Sequence, residues 1–408
     1  MLRIRLLVSL VVIMFGGSPA FATNGDTMIS VGSQNTALGG TGVAHFVGAE
    51  GTFANPAILG KSTGKEVTGG LVLFKPDVTN TGFTVTTPAN STANTNYIPD
   101  VSFSDRISDT LTYGVAIAGI AGMGVNYTDA SPAYVKAKTT LSILKVVPTI
   151  AYNKDDYGLG FSPVLQYGSL AISYDTTGNP GGGPRNPNHD ADKDTKFGYT
   201  LGGYYNINPA LTVAAAYNSA IKMSYGQQLS LAGKGFGQTF ADKLDQPTEI
   251  KAGFAYTIAN NYTVTADYRS IEWARADGYK QFGWNNQTVI SVGGKYAAEG
   301  YWVGLGYNSS DNPIQNLQDG TLTPSGNNAG IVNMFNSLMF PAIIKSAYTF
   351  GGGYSISKEL AIEASGMIAP KVTTKVDISD AQGLAPGSLY NTTTHSQQSY
   401  TVSLRYKF

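Results

Sequence analysis

From about Glu66 to the C-terminus, apolar and polar residues alternate with period two, the spacing that sends successive side chains to opposite faces of a sheet. At the end of the chain Tyr400, Val402, Leu404, Tyr406 and Phe408 share one face, and Thr401, Ser403, Arg405 and Lys407 the other. Tyr262, Val264, Ala266 and Tyr268 stand opposite Thr263, Thr265 and Asp267 in the same way. Ile250, Ala252, Phe254, Tyr256 and Ile258 repeat the pattern, as do Phe197, Tyr199, Leu201, Gly203 and Tyr205. About fourteen such segments follow one another: 66–75, 97–105, 111–124, 142–154, 157–171, 195–207, 210–225, 248–258, 261–273, 287–298, 300–309, 343–357, 359–371 and 397–408. An even number is what a closed bacterial barrel requires.

The connections alternate between short and long. Tight turns are predicted at Ser104–Thr110, Asn153–Asp156, Asn208-Pro209, Ala259-Asn260, Ala298-Glu299 and Ser357-Lys358. Long loops fall at about 76–96, 125–141, 172–194, 226–247, 274–286, 310–342 and 372–396. Transmembrane barrels have this asymmetry, with periplasmic turns at one rim and extracellular loops at the other. A soluble sandwich or propeller would also alternate, but its strands average about five or six residues, too short to cross a bilayer at a tilt. Tyr97, Tyr113, Tyr157, Tyr217, Trp273, Tyr296, Trp302 and Tyr406 near strand ends suit aromatic girdles at the membrane interfaces.

The first 65 residues do not alternate. Arg3 and Arg5 precede the apolar stretch Leu6–Phe15, and Ala20-Phe21-Ala22 ends a small-x-small cleavage pattern, so residues 1–22 read as a secretory signal peptide. Residues 23–62 are rich in Gly, Asn, Thr and Ala, a compact irregular stretch that cannot face lipid. Its apolar residues, among them Ile29, Leu38, Val43, Phe53, Ile58 and Leu59, are too frequent for a solvated tail and favour a plug inside the lumen.

Composition narrows the function. Only 13% of the residues are charged and 42% are hydrophobic, with 49 Gly and 25 Tyr. With a mean hydropathy of −0.07, the apolar residues are dispersed rather than gathered into helical spans. Balanced charge, 27 basic against 27 acidic, removes the attraction that nucleic acid needs. The absence of cysteine excludes disulfides, thiolate metal sites and cysteine catalysis.

Three blocks, in this order and context, resemble the FadL family of outer-membrane transporters for long-chain fatty acids and other hydrophobic compounds. The first is the Gly-rich stretch running into Phe53-Ala54-Asn55-Pro56-Ala57-Ile58-Leu59. The second is Gln246-Pro247-Thr248-Glu249-Ile250-Lys251-Ala252-Gly253-Phe254-Ala255-Tyr256, continuing into Tyr268-Arg269-Ser270-Ile271-Glu272-Trp273. The third is Gly293-Gly294-Lys295-Tyr296 through Gly304-Leu305-Gly306-Tyr307 to Asp311-Asn312-Pro313-Ile314. The resemblance implies an all-β fold, a transmembrane antiparallel barrel of about fourteen strands (66–408) with an N-terminal hatch (23–62) that carries Asn55, Pro56 and Ala57. It also implies loops that capture an apolar ligand, an interior pocket, and a lateral opening beside an inward kink of the third strand. That strand ends in Gly119-Ile120-Ala121-Gly122-Met123-Gly124. Glycines there mark either a bulge that interrupts wall pairing, with Gly119, Gly122 and Gly124 at the gate, or a weak strand end. The acidic residue that family hatches carry before the Asn-Pro-Ala motif has Glu50 as its nearby candidate. The family's cationic pocket residues find no match: no Arg or Lys occurs from Leu159 through Ile172, and Arg275, Asp277 and Lys280 beyond Trp273 give no clear register. A neutral hydrocarbon is therefore as open as a carboxylate.

Two loops supply apolar candidates for capture: Leu231, Phe236 and Phe240, with Leu229 and Leu244, in one, and Met334, Phe335, Leu338 and Phe340 at near-helical spacing in the other. They either form a landing surface or pack among themselves. Enzymatic readings fare poorly. Of His45, His189 and His395, only His395 has a neighbouring Ser396, and adjacent strand residues point oppositely. Asn55–Ser62 imitates the end of a phosphate loop without its first glycine or preceding strand. Asp190, Asp192 and Asp194 open like a calcium loop, but Thr195 stands where glycine is required. The reading is a cofactor-free and metal-free passive importer of long-chain fatty acids or similar hydrophobic molecules. It is expected to act as a monomer in the lipid of the bacterial outer membrane. A general diffusion porin is the alternative.

Overall fold

The computed structural model describes residues 24–82, 85–131, 134–178, 183–186 and 190–408. The expected signal peptide and His189 lie outside them. Fourteen wall strands follow in order: β1 (Glu66–Gly82), β2 (Asn96–Arg106), β3 (Leu111–Asn126), β4 (Lys138–Lys154), β5 (Tyr157–Asp175), β6 (Asp192–Asn208), β7 (Leu211–Asn218), β8 (Glu249–Ile258), β9 (Tyr262–Ile271), β10 (Gln287–Ala298), β11 (Tyr301–Ser310), β12 (Ser346–Ser355), β13 (Leu360–Asp377) and β14 (Tyr390–Lys407). Each pairs antiparallel with its sequence neighbours. β14 returns to β1, from Glu66↔Lys407 to Thr81↔Thr392, so the sheet closes into a barrel without edges.

The alternation read from the sequence is the inside-outside pattern of the wall. Tyr400, Val402, Leu404, Tyr262, Val264, Tyr268, Ile250 and Phe254 are exposed outward, whereas Thr401, Ser403, Thr263, Thr265 and Asp267 are buried. An apolar exterior around a polar interior is the arrangement that lipid selects. The short rim carries the turns between β2 and β3, β4 and β5, and the following pairs, and the long loops emerge from the other rim.

Several strands outrun their expected lengths, three of them by six residues or more. β1 reaches Gly82, β13 reaches Asp377, and β14 begins at Tyr390. Their added residues, such as Thr79, Thr81, Thr373, Thr392 and Thr394, keep the backbone ladder while abandoning apolar alternation. Others are shorter than expected: β7 stops at Asn218, not at 225, and β12 spans Ser346–Ser355 rather than 343–357. Two girdle assignments are corrected. Trp273 is fully buried among other aromatics, and Trp302 falls on the inward parity of β11 beside Gly353, between outward Tyr301 and Val303.

Residues 24–62 fold into a short helix α1 (Ser33–Ala37) and two 3-10 turns, Ala49–Phe53 and Pro56–Lys61. They rest against inward-facing wall positions, and nearly all are buried. Ser33 bonds Ser403 of β14 at 2.7 Å, Thr41 bonds Thr265 of β9 at 2.7 Å, and Leu38 and Gly39 lie over Gly293, Gly304 and Gly306 of β10 and β11. Two helices belong to the long loops: α2 (Gln228–Lys234) and α3 (Ala329–Met339).

Candidate functional site

Asn55, Pro56 and Ala57 act as a local fold unit. The Asn55 side chain accepts from the Ala57 N–H at 2.9 Å, which caps the turn, and Pro56 occupies the first position, where a missing N–H has no cost. The Asn55 amide also donates to the Val43 carbonyl at 2.8 Å and to Gly203 of β6 at 3.3 Å. Gly160 and Gly202 of the wall face this unit, and a Cβ on either would overlap Pro56, Ala57 or Asn55.

A buried charge cluster ties the N-terminal segment to the wall. Arg405 of β14 contacts Glu50 at 2.6 Å, Glu66 of β1 at 2.9 Å and Glu363 of β13 at 3.2 Å, and donates to the Val47 carbonyl at 2.8 Å. Burial pushes the Glu50 carboxyl above its ordinary range, against the pull of Arg405. Glu50 thus ties the segment just before Asn55 to β14 through Arg405.

The third strand parts from β2 where the Gly119–Gly124 stretch begins, while its ladder to β4 continues as far as Asn126↔Lys138. β2 and β3 pair only as far as Asp100↔Ala118, and the β3–β4 register shifts between Gly119 and Ala121. Beyond this point alternation fails, and every residue from Ala118 to Val125 is buried, Gly119, Gly122 and Gly124 among them. The freed backbone is satisfied by the tip of the N-terminal segment. Met28 N–H donates to the Ile120 carbonyl at 3.0 Å, and Gly122 N–H donates to the Asp26 carbonyl at 2.8 Å. The register shift between Gly119 and Ala121 is a β-bulge.

That tip sits under an aromatic group. Trp273 packs against Gly25, Tyr279 and Trp284, and the Asp26 carboxylate accepts from the Tyr279 hydroxyl and from the Gln246 amide at 2.8 Å. Burial pushes the Asp26 carboxyl from 3.8 up to about 6, with both hydrogen bonds opposing. A carboxyl whose folded pKa exceeds its unfolded value favours docking most below the unfolded pKa and loses that contribution as pH rises through the folded one. Exchange protection of the Met28 and Gly122 amides, corrected for intrinsic rate, should therefore fall between about pH 4 and pH 6. Asp26→Asn should flatten the profile; an equally steep profile in that variant would assign the effect elsewhere.

Between the tip, the Asn55 region and the wall lies a cavity with about 100 Å³ of water-accessible space. Ile120, Val147 and Val164 give it an apolar side. Lys145, Glu249, Lys251, Asp267 and Arg269 give it a charged one. Glu249 reaches Lys251 at 3.4 Å and Arg269 at 3.9 Å, and Asp267 accepts from the Gly42 and Val43 amides at 2.7 and 3.0 Å. Lys145 makes no hydrogen bond or ion pair among the described residues. Asn35, Asn218 and Asp267 line the cavity, and the Oδ1 of each is buried without a partner among the described residues. Strand parity alone could have placed Lys251 and Arg269 inward. Lys145 shares the inward parity of Thr149 and Ala151 on β4, but the apolar Ile143 and Val147 on the same face blur the polar-apolar contrast there.

The capture candidates are not an exposed surface. Phe240, Met334, Phe335, Leu338 and Phe340 are buried, while Leu231 and Phe236 are half-buried. Phe240, Phe335 and Phe282 meet with ring centroids 4.9 to 5.2 Å apart, and Phe236 packs on Tyr174 at 4.9 Å. The near-helical spacing is that of α3, capped by Asn328. Each loop alone leaves these residues in water, so the loops bury them against one another. The remaining singled-out groups have structural partners: His45 meets Lys295 at 2.8 Å, His395 meets the Pro341 carbonyl at 2.8 Å, Asp192 accepts from Gln228, and Asp194 from Ser224.

Residues 16–408 match the family described as outer membrane protein transport protein (OMPP1/FadL/TodX). The chain belongs to this family. Its members are transport channels of the outer membrane, not enzymes, and handle hydrophobic compounds. Among solved structures, a Pseudomonas aeruginosa FadL homologue is 14% identical with a TM-score of 0.68, covering 94% of this chain and 100% of that one. The P. putida toluene transporter TodX is 16% identical with a TM-score of 0.66, covering 93% and 99%. The Ralstonia pickettii toluene transporter TbuX is 17% identical with a TM-score of 0.63, covering 93% and 98%. At such identities the likeness is one of fold. A Chlorobium limicola protein from the 5' region of a phosphoenolpyruvate carboxykinase gene is 35% identical over 103 residues, 24% of this chain and 49% of that protein, so this chain spans about half the length of the curated relative it matches. In this FadL-family barrel, then, the N-terminal segment and the third strand at Ile120 both line the lumenal cavity.

Proposed function

We propose that the protein passively imports long-chain fatty acids or similar amphiphiles, with residues 24–62 as the hatch, the loop core as the first apolar site and the β2/β3 gap as the lateral exit. The carrying observation is the cavity itself, where the unpaired ammonium of Lys145 stands beside Ile120, Val147 and Val164. An apolar chain gains about 25 cal/mol per Å² on leaving water, and an anionic head gains a charge-assisted hydrogen bond only if a cation is free to make one. Arg269 and Lys251 share Glu249, which leaves Lys145 as the head-group ligand. Departure of β3 beside Ile120 supports an exit through the wall, because the cargo then enters lipid without recrossing water. A diffusion porin is less well supported, since the N-terminal segment occupies the lumen that such a pore needs open.

The test compares a C16 fatty acid with its methyl ester. Wild type should bind the acid more tightly, and Lys145→Met should lose about tenfold or more for the acid while leaving the ester nearly unchanged. Equal losses for both would mean that Lys145 shapes the cavity without recognising charge. No preference for acid in wild type would return the cargo to neutral hydrocarbons.

A further inference from the structure

The wall is interrupted a second time, away from the third strand. β6 runs up to Asp192, but β7 stops opposite Thr200 at Asn218. Beyond it, residues 219–225 no longer form a ladder with β6. They pair instead with residues 242–246: Ile221 and Gln246 exchange two backbone hydrogen bonds at 3.0 and 2.9 Å, and Leu244 N–H donates to Met223 at 3.2 Å. Ile221, Met223 and Tyr225 turn inward and are buried.

This ribbon is held to β6 mainly by side chains. Ser219 N–H donates to the Tyr199 carbonyl at 2.9 Å, and Tyr199 N–H donates to Ser219 Oγ at 2.9 Å. Ser224 N–H donates to Asp194 Oδ2 at 2.8 Å, and Gln228 donates to Asp192 Oδ2 at 2.9 Å. Such stitches can part without unzipping a β-ladder. The lumenal cavity reaches the seam, where Tyr199, Asn218, Ser219 and Ile221 line it and Asn218 Oδ1 is buried without a partner. On the outer side Phe197 is 76% exposed, and the Tyr199 and Tyr217 rings lie 6.0 Å apart, an aromatic border of the kind found at a lipid interface. The hatch touches both interruptions through one residue: the Asp26 carbonyl holds Gly122 of β3, and its carboxylate holds Gln246 of the ribbon.

We propose that the seam between β6 and residues 219–225 is a second lateral portal, connecting the cavity with the outer leaflet for an apolar cargo bearing a small polar group. The proposal rests on lateral passage as read above and adds a route to it. Because the chain has no cysteine, each route can be locked separately. A Cβ at Gly198 lies 2.6 Å from Ile221 Cγ1, and a Cβ at Gly119 lies 2.7 Å from Ile98 Cγ2, so Gly198→Cys/Ile221→Cys would close the new seam and Ile98→Cys/Gly119→Cys the third-strand gap. Uptake of a fluorescent C16 fatty acid is measured for oxidised and reduced forms of each variant. Oxidation of the first pair should lower the rate at least about twofold, with recovery on reduction. An unchanged rate there, with slowing by the second pair, overturns the second portal and leaves lateral passage standing. No slowing by either lock overturns both. If the first pair does not fold, photolabelling of the wild type with a diazirine C16 acid decides: labels at Tyr199 and residues 219–221 support the portal, and labels confined to the third-strand side refute it.

Discussion

In Arg405→Met the N-terminal segment is expected to leave its seat and the barrel to conduct ions steadily in planar bilayers. The substitution keeps most of the side-chain volume but leaves Glu50, Glu66 and Glu363 together without their counter-charge. Breaking a buried ion pair costs about 3–5 kcal/mol, because the stranded charge stays desolvated. The barrel ladder is closed by many backbone pairs from β1 to β14, whereas the segment is anchored at this end through Glu50 and the Val47 carbonyl. Displacement of the segment is therefore the expected way for the cluster to regain water. Protease sensitivity near Gly48 should rise with the conductance. A variant as closed and as resistant as wild type would show that the other contacts of the segment hold it without the cluster.

Trp273→Ala should reduce uptake of hydrophobic compounds about tenfold or more while leaving an intact barrel, judged by heat-modifiable mobility on gels. Removing so large a buried ring costs about 3–5 kcal/mol. That loss falls where the N-terminal tip meets the loops: Trp273 donates to Gln287 at 3.1 Å, contacts Tyr279 and Trp284, and packs on Gly25. Exchange protection should fall at Met28 and Gly122 and remain in the β8–β9 ladder. Uptake and protection like those of wild type would separate this aromatic group from transport.

The barrel was legible because lipid imposes a rule on every second residue, and Tyr262–Tyr268 or Tyr400–Phe408 show that rule without interruption. Asn55-Pro56-Ala57 was legible for a different reason: capping chemistry is local, so the residue types and the turn they make are neighbours in sequence. Trp273 was misplaced because an aromatic at a strand end fits a girdle or a loop core equally well, and only its position past Ile271 separates the two. Residues 219–225 were read as wall because Ile221, Met223 and Tyr225 keep period two, yet that apolar face turns into the lumen rather than toward lipid.

Sequence by itself determined a closed sheet with an oily exterior, its two unlike rims, and a leading segment unsuited to lipid, since each follows from periodicity or composition along a continuous stretch. Tertiary structure alone decided that Arg405 gathers Glu50, Glu66 and Glu363, that Lys145 lines the cavity without an ion pair among the described residues, and that Asp26 joins β3 to the ribbon after β7. Those contacts link residues tens to hundreds of positions apart, and electrostatics and packing act through space with no period along the chain.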